Sequence, residues 1–119
     1  MNRDTNINVD YLKAVSGKFD LETIFNLDLN GKSKTDLITG ISKVGSLVQC
    51  SNLVFLNLKS NKISSLTGLG SLAQLIILDL SFNMLTTIDS LEEIPKLKYL
   101  KLQGNKIDKF KSVTIVLLT

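Results

Sequence analysis

The sequence predicts a single α/β domain built as a right-handed solenoid. A short parallel β-sheet lines its concave face, 3-10 or short helical turns form its convex face, and a helix caps the N-terminal end. Three observations carry this. The pattern Leu-x-x-Leu-x-Leu-x-x-Asn-x-Ile/Leu begins at Leu53, Leu75 and Leu97, in copies 22 residues apart. Within each copy the leucines first alternate, as in Leu56-x-Leu58, which sends successive side chains to opposite faces of a strand. The apolar residues then recur every third position, the period of a tight helical turn. A unit with one apolar row has nothing to bury it against, so copies must stack and share a continuous core.

The elements follow in chain order. Asn8 is placed as the N-cap of a short amphipathic helix, Val9 to Ser16, with Tyr11, Leu12 and Val15 as its apolar side and Gly17 as its terminator. An end repeat must cover its open core, and this helix is the expected lid. Ile24-x-x-Leu27-x-Leu29 repeats the strand spacing, but Lys32 stands where Asn is expected and the next copy starts 29 residues on. Ile41, Val44, Leu47 and Cys50 take the places that Ile63, Leu66, Leu69 and Leu72 hold later. The extra residues therefore fall near Asn30 to Ile38.

Leu85, Ile88, Leu91 and Ile94 form the next convex run, with Ser90 and Glu93 as a capping box and Pro95 ending the turn. Phe110, Val113 and Val116 keep the three-residue spacing in a β-branched tail. A further strand would begin only at residue 119, so Leu97 to Leu102 is expected to present an open edge, prone to association. The expected divisions are a cap over 1–22, an irregular repeat over 23–52, and regular repeats over 53–74, 75–96 and 97–118. The break at the C-terminal end suggests a fragment or a chain that pairs there.

Asn61, Asn83 and Asn105 follow each strand where the chain turns inward. An amide there satisfies backbone groups of its own turn and of the neighbouring repeat, which would otherwise be buried unpaired at roughly 1–3 kcal/mol each. These asparagines are read as structural.

Together these residues are those of a leucine-rich repeat, and the short, Ile-rich 22-residue form resembles the SDS22-like class. Ile7, Leu12-Lys13, Gly17, Phe19, Leu21-Glu22 and Ile24 are similar to the lead-in segment of a leucine-rich-repeat adaptor. The resemblance implies an intracellular interaction module, cytoplasmic or else nuclear or ciliary, that binds a protein partner. Extracellular relatives have cysteine-stapled caps, and none is visible here. One Cys cannot form an internal disulfide, and Cys50 occupies a core slot, where it is expected to be buried and inert.

There is no His, the commonest general base and metal ligand. Asp28 and Asp79 share a row but have Asn57 between them, so they are no dyad; no catalytic residue, metal site or cofactor is expected. Gly31-Lys32-Ser33 lacks the first glycine of a phosphate-binding loop, since Asn26 stands in its place. A net charge of +3 does not by itself point to nucleic acid. Lys96, Lys98, Lys101, Lys106, Lys109 and Lys111 crowd the last repeat, and an acidic partner or nucleic acid is an alternative there. No apolar run is long enough to span a membrane, and no secretory signal is visible.

The exposed strand face is the better candidate. Its rows are Asn26/Phe55/Ile77/Tyr99, then Asp28/Asn57/Asp79/Lys101, then Asn30/Lys59/Ser81/Gln103. Phe55, Ile77 and Tyr99 form an apolar stripe, with Phe82 added from the following row. Self-association through the C-terminal edge is the competing reading.

Overall fold

A computed structural model describes residues 7–31, 40–88, 91 and 94–107, and the backbone of 115–117. A helix, α1 (Val9–Ser16), leads in. The short strands β1 (Asn26–Asp28), β2 (Phe55–Asn57), β3 (Ile77–Asp79), β4 (Tyr99–Lys101) and β5 (Ile115–Leu117) form one sheet in the order β1-β2-β3-β4-β5. The first three pairings are parallel, with Leu27, Leu56, Leu78 and Leu100 in register. Parallel neighbours need a long crossover, and the 3-10 turns Gly45–Gln49 and Leu69–Ser71 lie in two of these connections.

The alternation read from the sequence is the burial pattern of the strands. Leu27, Leu56, Leu78 and Leu100 are buried, while their strand neighbours are exposed or half-buried. The three-residue runs close the other side of the same core. Ile41, Val44, Leu47 and Cys50 are buried, as are Ile63, Leu66, Leu69 and Leu72, and Leu85, Leu91 and Ile94; Ile88 is partly buried against them. Full burial of a Leu or Ile contributes about 1.5–3 kcal/mol, which offsets the cost of ordering these short repeats.

The asparagine ladder has the expected bonding. Asn83 Oδ1 accepts from Ile63 N–H at 3.0 Å, and its Nδ2 donates to the carbonyls of Leu58, Leu80 and Ser81. Asn61 does the same with Ile41 N–H and the carbonyls of Leu29, Leu58 and Lys59. Asn105 accepts from Leu85 N–H and donates to the Leu80 and Leu102 carbonyls. Each amide thus ties its own turn to the repeat before it.

At the N-terminal end, Asn8 Oδ1 accepts from Tyr11 N–H at 2.8 Å, and Gly17 closes the helix with φ 71°. Leu12 is fully buried, and Val9 and Tyr11 pack beside it. Val15 departs from expectation: it is exposed and lines a cleft with Phe25 and the edge of β1.

The C-terminal edge requires a correction. The β4 strand is not open, because β5 pairs with it antiparallel, with Tyr99 opposite Leu117 and Lys101 opposite Ile115. A β-branched run fits an edge strand as well as it fits a further repeat, and folding it back satisfies the β4 backbone. The capping box at Ser90 and Glu93, and Lys32 to Ile38 of the expected insertion, lie outside the described residues, as do Lys109 and Lys111.

Candidate protein-binding face

The strand register builds the face directly. Asn26, Phe55, Ile77 and Tyr99 form one row across the sheet, and Asp28, Asn57, Asp79 and Lys101 the next. Ile77 and Tyr99 are exposed, Tyr99 by 49%, whereas Phe55 is half-buried. The ladder continues past the strand ends. Gly31 N–H donates to the Lys59 carbonyl, Ser60 N–H to Ser81 and Phe82 N–H to Gln103. Asn30, Lys59, Ser81 and Gln103 therefore make the third row.

The strand entrances hold a further set of residues that the 22-residue spacing does not single out. At the start of β2, β3 and β4 two consecutive N–H groups donate to a single carbonyl: Val54 and Phe55 to Phe25, Ile76 and Ile77 to Val54, and Lys98 and Tyr99 to Ile76. These bonds set Phe25, Val54, Ile76 and Lys98 in register at the strand entrances. Phe25 is exposed, and Val54 and Ile76 are half-buried. The doublets Val54-Phe55 and Ile76-Ile77 were the available signal.

Row two has work of its own. Asp28 Oδ1 accepts from Asn30 N–H at 3.0 Å, Asn57 Oδ1 from Lys59 N–H at 2.9 Å, and Asp79 Oδ1 from Ser81 N–H at 3.0 Å. Ser81 Oγ adds a 2.6 Å bond to the same Asp79 oxygen; Ser81 is buried and Asp79 half-buried. These are Asx turns, in which a short polar side chain holds the backbone two residues on. The acids of this row thus shape the strand exits, and Ser81 offers little surface. Lys101 has no acceptor to take the same part and is exposed.

Phe82 is not part of the stripe. It stands one residue beyond the third row, 44% exposed, with φ 58°. The Lys59 Nζ lies 5.8 Å from its ring centroid, a cation–π distance. The two apolar features are separated by the polar rows of Asp79 and Ser81.

Charge is distributed unevenly along the sheet. Asp28 is exposed at β1, whereas Lys98 just precedes β4 and Lys101 ends it, on either side of Tyr99. Lys96 is engaged with Gln74 Oε1 at 2.9 Å. Burial pushes the Cys50 thiol above its ordinary range by desolvation, away from nucleophilic reactivity. Among the described residues no helix is long and apolar enough to cross a membrane.

Comparison with known proteins agrees with this architecture. The family described as leucine-rich repeats (two copies) matches residues 73–114. No curated protein matches the chain. Among solved structures, an internalin from Listeria monocytogenes superposes with a TM-score of 0.66 at 20% identity, over 86% of this chain and 28% of the internalin. The chain thus spans under a third of that protein's length. Parallel strands in 22-residue register, an asparagine ladder, the matching repeats and the superposed solenoid together give the chain the leucine-rich-repeat fold.

Proposed function

We propose that the chain is a non-enzymatic interaction scaffold that holds a protein partner on its concave sheet. The observation that supports this reading most is the apolar row Phe55/Ile77/Tyr99, exposed or half-buried on strands whose intervening leucines fill the core. An exposed apolar and aromatic patch ringed by polar groups marks a protein interface. Tyr99 and Phe55 are its anchors, since aromatic side chains dominate interface energetics. Asp28, Asp79 and Lys101 set its polarity, and Asn26, Asn57, Lys59 and Gln103 form the polar surround. Leucine-rich-repeat proteins generally bind other proteins, and likeness to the SDS22-like class favours a cytoplasmic, nuclear or ciliary adaptor.

Affinity capture from a cytosolic extract tests the reading. The F55A/Y99A variant is expected to lose the captured partner while keeping the wild-type circular dichroism spectrum. Capture at full strength by the variant would overturn the concave-face assignment.

A further inference from the structure

We infer that the partner segment is an acidic, apolar peptide, and that its acidic side chains sit over the β4 end of the sheet. The inference rests on the concave-face reading and adds the chemistry and orientation of the occupant.

Three observations carry it. Tyr99 is half-exposed, with Lys98 just before it at the entrance of β4 and Lys101 at the strand's end, all three reaching solvent. Asp79, opposite Lys101 in the register, turns Oδ1 to two donors of Ser81. Asp79 is half-buried, whereas Lys98 and Lys101 are exposed, so the lysines are the more accessible charges at this end of the sheet. The exposed acid of the same row, Asp28, lies three strands away on β1. The face therefore has an aromatic and aliphatic floor with a cationic end and a weakly acidic one.

An incoming segment buries apolar side chains on Ile77 and Tyr99 while its carboxylates meet the two ammonium groups. A basic segment placed there would bring like charges together on desolvation. Exposed lysines supply little affinity individually, being screened by salt. Their effect falls on which partners are admitted and on the rate of encounter.

Selection from a displayed library of random peptides, performed in parallel on the wild-type chain and on K98E/K101E, tests this. Wild type is expected to return peptides rich in Asp or Glu together with Leu, Phe or Tyr. Binding of these peptides should fall at least tenfold in K98E/K101E and in F55A/Y99A, and the charge-reversed chain should select basic peptides instead. Peptides that need Phe55 and Tyr99 but show no acidic enrichment would overturn this inference and leave the concave-face reading intact. Peptides indifferent to Phe55 and Tyr99, or an empty selection, would overturn both.

Discussion

The ring of Phe82 lies against the backbone of Gly104, in the space that a Cβ on that glycine would occupy. The two residues hold the same position in successive repeats, and both are left-handed, with φ 58° and 79°. Gly adopts this region freely, whereas a bulky residue does so at a cost of about 1–3 kcal/mol. The sequence therefore places a strained, exposed aromatic on a shelf that only glycine leaves open. G104A should destabilise the fold through both its own backbone and the displaced ring. In an F82G background the same change should cost less, by about 0.5–3 kcal/mol of coupling. Urea midpoints of the four proteins measure this, and strict additivity would contradict the contact.

Ser60 occupies the equivalent position one repeat earlier. Its φ is 63°, and among the described residues its buried Oγ has no hydrogen-bond partner. The left-handed backbone costs about 1–2 kcal/mol and the orphaned hydroxyl about 1–3 kcal/mol. Gly removes both while adding about 0.5–1 kcal/mol of chain entropy to the unfolded state. S60G should therefore raise the unfolding free energy by about 1 kcal/mol or more. A thermal or urea midpoint below that of wild type would refute the assignment.

The ladder predicts a ranking. Asn83 is buried and makes one accepting and three donating bonds, so N83A strands Ile63 N–H and weakens three carbonyls. At about 1–3 kcal/mol for each buried group left unpaired, the loss should reach several kcal/mol. Asn105 is half-buried and makes fewer bonds among the described residues, so N105A should cost less. Equal midpoints for the two variants would mean that the ladder does not carry the inter-repeat coupling.

Cys50 gives a pH dependence with a definite sign. Its folded-state pKa is raised by desolvation, so the unfolded thiol ionises first as pH climbs. The contribution of this group is fully present below the unfolded value near 9.0 and is lost as pH rises through the folded pKa. Wild type should lose stability in that alkaline window more steeply than C50A. Below it, native Cys50 should resist alkylation and react on unfolding. Rapid modification of the native chain would contradict its burial.

Much of the architecture was legible because it is written in spacing. Leu56, Leu78 and Leu100 share a register that the 22-residue period demands, and the cap from Asn8 to Gly17 is local chemistry that survives without tertiary context. The row Asp28/Asn57/Asp79 was less legible. Its side chains bond to backbone groups two residues on, and nothing in composition separates that role from a binding surface. The direction of β5 was hidden for a different reason. Ile115 to Leu117 suits a strand of either sense, and only the return of the chain decides that it lies antiparallel to β4. Val15 is exposed because helical spacing selects a face but not how far the neighbouring repeat extends over it.

Backbone amide shift mapping, with a peptide selected on the wild-type chain as the probe, tests the binding face most directly. Perturbations should concentrate at Phe55, Asn57, Ile77, Asp79, Tyr99 and Lys101, the two central rows of the concave sheet. Perturbations confined to the convex turns Gly45–Gln49 and Leu69–Ser71, with the strand rows unmoved, would contradict the account.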